Sequence, residues 1–270
     1  MSRKPPREHV APVQRMRLRY AKRGRLRFAS HRDFQRAFER ALRRAGIPMA
    51  YSAGFSPHPK ISYANAAPTG TASEAEYLEI GLSEARDPDE VRRLLDEALP
   101  PGLDIVDVVV ARTSDFVERL QASRWRIEIP GLSASEVEEA LTRLLDAQEV
   151  LVERLTKNGL RTFDVRAALL AGSVASASDE PDRGGLAVPP GQMHPCAILT
   201  VVLRQVTPAV RPDDILTALR NVAPSPVATG WQTPPPLVTR EMQGPLAEGE
   251  SADEPIVGDP LAADREADQT

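Results

Sequence analysis

Residues 13–48 decide the fold, and they read VQRMRLRYAKRGRLRFASHRDFQRAFERALRRAGIP. The first ten residues of this stretch alternate between apolar and polar side chains, which predicts a β-strand. Ser30 then precedes a segment whose apolar residues recur at helical spacing, and Asp33 follows three positions later as in a capping box. The Gly-Ile-Pro sequence at 46–48 ends that segment. The stretch therefore predicts a strand, a turn and a capped helix.

Similar patterns continue on the C-terminal side of this stretch. Residues 61–64 read as a short strand, and the alternation over 76–82 predicts a longer one. An Asp-Pro pair opens a predicted helix over about 87–99, and an apolar run at 103–111 predicts a further strand. The order is β-α-β-β-α-β, which is typical of a ferredoxin-like α+β sandwich.

The second half of the chain repeats this order more loosely, so we expect tandem ferredoxin-like sandwiches. Residues 171–193 are rich in Gly, Ser, Ala and Pro, which predicts a flexible insertion. The predicted organisation has four parts: a disordered N-terminal arm at 1–12, a ferredoxin-like basic domain at 13–111, a second ferredoxin-like domain at 122–233 that contains the insertion, and an acidic disordered tail at 234–270.

The composition indicates a soluble globular protein. Of the 270 residues, 41% are hydrophobic and 27% are charged. No apolar run is long enough to predict a transmembrane helix, and no apolar segment follows the basic N-terminus as in a signal peptide. The single cysteine, Cys196, excludes a disulfide or a Cys-ligated metal cluster within this chain alone. We therefore expect a cytoplasmic protein with no membrane partner, no metal site and no cofactor of its own.

Charge is distributed unevenly along the chain. Residues 1–60 carry 16 Lys and Arg against 3 Asp and Glu, a net charge of +13. Residues 241–270 carry 9 Asp and Glu against one Arg, a net charge of −8. Such blocks indicate a basic face for a polyanion and a solvated acidic tail.

The predicted helix after Ser30 carries four arginines opposite its apolar face: Arg32, Arg36, Arg40 and Arg43. One acid on that helix, Glu39, is available to pair with them, and the preceding strand adds further arginines. Guanidinium groups match the geometry of phosphates. The pattern therefore predicts an RNA-binding face, and the alternative is a solvated face of an amphipathic helix.

The loop over residues 52–60 reads SAGFSPHPK. Pro57 and Pro59 stiffen the chain on either side of His58. A rigid loop that presents His58 and Lys60 is suited to contact with phosphates. The alternative interpretation of the same residues is a tight turn that carries a surface histidine. We expect this loop to lie beside the arginine face of the helix. Five residues are predicted to shape the region: Gly54, Phe55, Pro57, Pro59 and Gly70.

His31 and His58 are the candidates for acid–base chemistry, and no residue is assigned a catalytic role. His31 is equally well explained as the first residue of a helix. The chain lacks the P-loop, GxGxxG, HExxH and GxSxG motifs.

Residues 25–82 resemble the radical-SAM-associated family, a domain of unknown function that is fused to, or encoded beside, cobalamin-binding radical S-adenosylmethionine proteins. The segments SHRD at 30–33, GFSPHPK at 54–60 and PTGTASEAEY at 68–77 carry the resemblance, which extends over roughly 13–225. It implies an accessory role to a radical SAM enzyme. That partner would carry the iron–sulfur cluster, the S-adenosylmethionine and the cobalamin.

Three hypotheses follow from the sequence. In the first, the protein is a non-catalytic accessory of a radical SAM enzyme and binds or presents RNA through its basic face. In the second, it is a metal-independent RNA-processing enzyme that uses His31 or His58. In the third, it is a protein–protein adaptor without RNA contact.

Overall fold

A computed structural model of the protein describes residues 11–156, 159–177, 195–223, 235–247 and 256–268. The chain divides into two compact units. The first contains Met1–Leu120 together with Asp259–Thr270, and the second contains Gln121–Gly258. Each unit combines an antiparallel sheet with helices, which confirms the predicted α+β class.

The elements of the first unit, labelled in chain order, are β1 (Gln14–Lys22), α1 (His31–Arg44), β2 (Ile61–Ala64), β3 (Ala72–Leu82), α2 (Pro88–Ala98), β4 (Leu103–Val110) and, near the C-terminus, α5 (Ala262–Asp268). The strands form a sheet in the order β4-β1-β3-β2, and all neighbouring strands are antiparallel.

Helix α1 begins where the sequence predicts. The Ser30 hydroxyl accepts a hydrogen bond from the backbone N–H of Asp33 at 3.2 Å, which satisfies a helix-start donor. The buried stripe of the helix comprises Phe34, Phe38, Ala41 and Leu42. Burying each of its larger side chains contributes about 1.5–3 kcal/mol, so this stripe fixes α1 on the sheet.

Strand β1 has two faces of different character. Met16, Leu18 and Tyr20 are buried in one core with the apolar stripe of α1 and with residues of α2. Because side chains alternate along a strand, Arg15 and Arg17 belong to the opposite face, which we call the second face of the sheet.

The second unit contains a sheet in the order β10-β5-β9-β8, again with antiparallel neighbours. Strands β6 and β7 form a separate two-stranded ribbon. The elements are β5 (Ala122–Pro130), α3 (Ala134–Asp146), β6 (Leu151–Thr156), β7 (Gly159–Asp164), β8 (Leu169–Ser176), β9 (Cys196–Arg204), α4 (Pro212–Val222), β10 (Leu237–Gly244), β11 (Leu246–Ala247) and β12 (Ile256–Val257).

The prediction of a flexible insertion at 171–193 is wrong for its first part, because residues up to Ser176 belong to β8, which pairs with β9. A Cβ atom at Gly172 would lie 2.9 Å from Cδ1 of Leu141 on α3. The small residues therefore allow a helix to approach the strand closely. Residues 178–193 lie outside the described residues.

The disordered tail predicted at 234–270 is also wrong for much of its length. Strand β10 pairs with β5 over Leu237–Gly244, so it completes the second sheet. Helix α5 belongs to the first unit, where Leu261 and Asp264 are fully buried. The acidic composition of the segment does not predict β10 or α5, because only a few of its positions are buried. Residues 1–10 of the predicted N-terminal arm lie outside the described residues.

Across the described residues, none of the helices has the length and apolar character needed to span a membrane.

Candidate functional site

The four predicted arginines of α1 are exposed on the side of the helix away from its apolar stripe: Arg32, Arg36, Arg40 and Arg43. Arg43 lies 3.9 Å from the carboxylate of Glu39, one turn earlier. Within the described part of the chain, no carboxylate lies within 4.0 Å of the other three guanidinium groups. This helix face therefore carries a concentrated positive charge.

The start of α1 serves mainly to cap the helix. The Ser30 hydroxyl donates to the Asp33 carboxylate at 2.6 Å, and this hydrogen bond lowers the pKa of Asp33. The amide of Gln35 donates to Nε2 of His31 at 3.0 Å, and the His31 ring packs edge-on against Tyr63. The SHRD segment is thus explained by helix capping and an aromatic contact.

The predicted loop forms a closed hairpin over residues 50–60, hereafter the hairpin. Its two sides meet at Ser52 and His58, where the Ser52 N–H donates to the His58 carbonyl at 2.9 Å. The His58 N–H donates in return to the Ser52 hydroxyl at 3.0 Å. Gly54 has a φ of +103° at the tip, a conformation that favours glycine, and Phe55 beside it is 70% exposed.

Backbone hydrogen bonds anchor the base of the hairpin to β3. The Ala50 N–H donates to the Gly81 carbonyl at 2.8 Å, and the Gly81 N–H donates to the Lys60 carbonyl at 2.9 Å. A Cβ atom at Gly81 would lie 2.9 Å from Cγ of Pro12 and 3.3 Å from Cβ of Lys60. Glycine at this position therefore lets the hairpin pack closely on the strand.

A groove of about 350 Å³ separates the hairpin from the second face of the sheet, and we call it the hairpin groove. Arg15 and Lys60 contribute its cationic groups, His58 adds an imidazole ring, and Glu79 is its acid. The Glu79 carboxylate already pairs with Arg15 at 3.4 Å and with Arg17 at 3.1 Å. The remaining lining residues are Pro12, Ser52, Pro59, Ile61, Ser62 and Gly81.

The hairpin and the arginines of α1 do not form one surface, so the prediction that they lie side by side is wrong. Ile61 and Tyr63 pack against the core that contains α1. The alternation along β2 therefore directs Lys60 and Ser62 to the second face. The alternation of residues 61–64 indicates that Ile61 and Tyr63 share a face, but the pairing of β2 with β3 decides that this face is the one on which α1 packs.

The structure brings His58 and Lys60 together with Arg15, which the predicted site omits. Arg15 alternates with the buried Met16, and this parity is the sequence signal that could have identified it. His31 lies at the other end of β2, beside Tyr63. Gly70 has a φ of +91° and donates its N–H to the Arg27 carbonyl, so it shapes a different turn.

Much of the positive charge of β1 and of the turn that follows it is neutralised within the fold. Arg17 is 4% exposed and pairs with Asp264 at 2.6 Å. Arg23 pairs with Glu74 and, at 2.8 Å, with Asp104. The net charge of residues 1–60 is therefore larger than the positive charge that is available to bind a polyanion. In the described ranges, no group of three or more His, Cys, Asp or Glu side chains is placed to hold a metal ion.

Fold and site together define a two-unit α+β protein with a cationic groove on its first sheet. Residues 15–212 match the model of a bacterial family described as "Uncharacterized protein conserved in bacteria (DUF2344)", and the chain belongs to this family. The description names neither an activity nor a partner. No curated protein matches the chain.

One similar solved structure is titled "Crystal Structure of an Unknown Protein from Galdieria sulphuraria". Its sequence is 15% identical, and the match covers 77% of this chain and 91% of that chain. The TM-score is 0.22, which is too low to support an argument about fold.

Proposed function

We propose that the protein binds RNA through its backbone phosphates, without catalysing a reaction on it. The observation that carries this proposal is the hairpin groove, in which Arg15, His58 and Lys60 surround about 350 Å³. Guanidinium and ammonium groups bind phosphate oxygens, and an imidazole N–H can donate to them. The rigid hairpin keeps two of these groups in place.

The size of the groove favours a single strand of RNA. Small-ligand pockets span about 300–1,000 Å³, so this groove is suited to one nucleotide unit at a time. The exposed ring of Phe55 lies at the tip of the same hairpin and offers a surface on which a base can stack. The α1 arginines lie on the other face of the sheet, so only a longer RNA would contact both surfaces.

The strand orders support the finer proposal that both units are ferredoxin-like. The first unit follows the order β4-β1-β3-β2. The second follows β10-β5-β9-β8, which is the equivalent order when the β6–β7 ribbon is treated as an insertion after α3. Both sheets are antiparallel throughout, as the β-α-β-β-α-β connectivity requires.

An accessory role to a separate radical SAM enzyme in the cytoplasm is part of the same proposal. Its support is the resemblance of residues 25–82 to the radical-SAM-associated family. Because Cys196 is the single cysteine of the chain, the cluster and its cofactors would belong to the partner. The protein would then present RNA to that enzyme.

The enzymatic alternative is less well supported by the geometry. Among the described residues, neither His31 nor His58 has a carboxylate within hydrogen-bonding distance of its ring. A His31→Ala/His58→Ala variant tests this alternative directly. If the wild type cleaves or modifies RNA and the variant does not, the protein is an enzyme and the non-catalytic proposal is wrong.

Filter binding to total RNA at two salt concentrations tests the proposed function. The Arg15→Gln/Lys60→Gln variant should lose about tenfold in affinity. The slope of its log affinity against log salt concentration should decrease by the amount expected for the loss of about two phosphate contacts. Arg93→Gln is the matched control, because Arg93 is an exposed arginine of α2 that pairs with Glu97 at 3.0 Å. Absent or salt-independent binding by the wild type would show that RNA is not the ligand and would favour the adaptor hypothesis.

A further inference from the structure

The carboxylate of Asp264 on α5 is fully buried and accepts hydrogen bonds from several donors of the first unit. Nη1 of Arg17 lies 2.6 Å from one of its oxygens. The backbone N–H groups of Arg112 and Thr113 donate at 2.9 and 3.0 Å, and the Thr113 hydroxyl donates at 2.6 Å. Arg119 completes this cage with Nη1 at 3.3 Å.

These donors are the set that a phosphate group requires. Two guanidinium groups, two backbone N–H groups and a hydroxyl converge on one anion, and charge-assisted hydrogen bonds of this kind are the strongest in proteins. Burial alone would raise the pKa of Asp264, but the hydrogen bonds from Thr113 and Arg17 outweigh it, and the pKa lies below its ordinary value. The site therefore holds a charged anion.

The cage adjoins the surface proposed for RNA. A second groove, of about 690 Å³, is lined by Arg17 and Thr113 of the cage, and we call it the sheet groove. It shares three lining residues with the hairpin groove: Arg15, Ser62 and Glu79. The two grooves thus lead from His58 and Lys60, past Arg15, to the cage residues Arg17 and Thr113. Three acids also line them: Glu79, Asp115 and Glu118.

We propose that this cage is a phosphate subsite of the RNA path and that the C-terminal segment 259–268 occupies it as an internal competitor. This inference rests on the proposed function. Removal of Asp264 without a substitute would leave Arg17 buried with an incomplete set of partners, which is unfavourable. Another anion can take the place of Asp264, because the same donors suit phosphate oxygens.

The way in which the segment is attached favours exchange with a polyanion. Its buried apolar residues are Pro260 and Leu261. Its other attachments are polar. They include the hydrogen bonds to Asp264 and a hydrogen bond of 3.1 Å from Arg119 to the Pro260 carbonyl. Two ion pairs at partly exposed positions complete them, Asp268 with Arg112 and Arg265 with Asp107. Salt and polyanions weaken ionic contacts at partly exposed positions.

Fluorescence anisotropy with a labelled single-stranded uridine oligonucleotide tests the inference on the full chain. Asp264→Asn removes the competing charge, and Leu261→Ala loosens the segment while it leaves the cage intact. Each variant should bind the oligonucleotide at least about threefold more tightly than the wild type, because more cationic groups become available. Asp89→Asn is the control, because Asp89 is an exposed carboxylate in the first turn of α2, outside the segment, and this variant should change the affinity by less than about twofold.

Hydrogen exchange of the wild type provides a second readout that needs no variant. Saturating oligonucleotide should accelerate exchange over residues 259–268, because the segment leaves the cage. If the wild type binds the oligonucleotide without faster exchange over residues 259–268 and without a gain in affinity in either variant, the segment only stabilises the fold, and this inference alone is wrong. If no protein binds the oligonucleotide, the proposed function fails and the inference fails with it.

Discussion

Nη1 of Arg17 lies 2.6 Å from a carboxylate oxygen of Asp264, a residue 247 positions later in the chain. Both side chains are buried, at 4% and 0% exposure. The pair joins the first strand of the protein to its last described helix. It also shows how a basic strand and an acidic C-terminal segment, which are separate charge blocks in the sequence, neutralise each other in the fold.

We expect Asp264→Ala to lower the free energy of unfolding by about 3 kcal/mol, because the variant leaves Arg17 buried without its main counterion. Urea denaturation measures the change. Asp268→Ala is the control and should cost less than about 1 kcal/mol, as exposed pairs do. Equal effects of the two substitutions would mean that the buried cage contributes no more than a surface ion pair.

The stability that Asp264 contributes should depend on pH. Its pKa in the folded protein is lowered from 3.8 by hydrogen bonds that outweigh the effect of burial. A carboxyl group with a lowered pKa stabilises the folded state fully above its unfolded pKa, and this contribution is lost as pH falls below 3.8 through the folded value. The difference in unfolding free energy between the wild type and Asp264→Asn should therefore be constant above about pH 5 and should shrink below 3.8. A difference that grows with acidification would contradict the direction of the pKa shift.

The arginines of α1 should contribute to binding only when the RNA is long. An Arg36→Gln/Arg40→Gln variant should lose about threefold to tenfold in affinity for total RNA through lost phosphate contacts. Its affinity for a short oligonucleotide in the hairpin groove should not change, because these residues lie on the opposite face of the sheet. Filter binding with both ligands measures the two affinities. Equal losses for short and long RNA would indicate that the two surfaces form one site.

Substitution of Gly81 should disturb the hairpin and, with it, RNA binding. In Gly81→Ala the new Cβ atom would meet Pro12 at 2.9 Å and Lys60 at 3.3 Å. We expect a loss of about 1–2 kcal/mol in stability, as for other overpacked sites, together with weaker RNA binding. Gly172→Ala is the matched control, because its Cβ atom would lie 2.9 Å from Leu141 in the second unit. That variant should lose stability and retain its affinity, and thermal unfolding and filter binding separate the two effects.

Local patterns are enough to predict the elements of the first unit from β1 to β4, whereas α5 lies in the acidic segment that they predict to be disordered. Helix α1 was expected from the cap at Ser30 and its apolar spacing, and it runs over His31–Arg44. Alternation was enough for β1 and β3, because each buries one face against helices. In the second unit, the sequence does not predict β8 and β10, because they are rich in small or charged residues and owe their stability to pairing with β9 and β5.

The candidate site could be predicted only in part. His58 and Lys60 were recognised because two prolines and a glycine constrain the chain around them. Arg15 was omitted, although it lies with them in one groove. Which groups meet across a sheet depends on the pairing of β2 with β3 and of β3 with β1, and these pairings join segments that are separate in the sequence.

The amino-acid sequence by itself determined where α1 begins, which segments form β1, β2, α2 and β4, and which loop is rigid. Those properties depend on neighbouring residues through capping, alternation and fixed dihedral angles. The tertiary structure alone decided which charged side chains remain accessible to a ligand. The burial of Arg17 with Asp264 and the separation of the hairpin from the α1 arginines both arise from contacts between distant segments, and burial and distance set the strength of every ion pair.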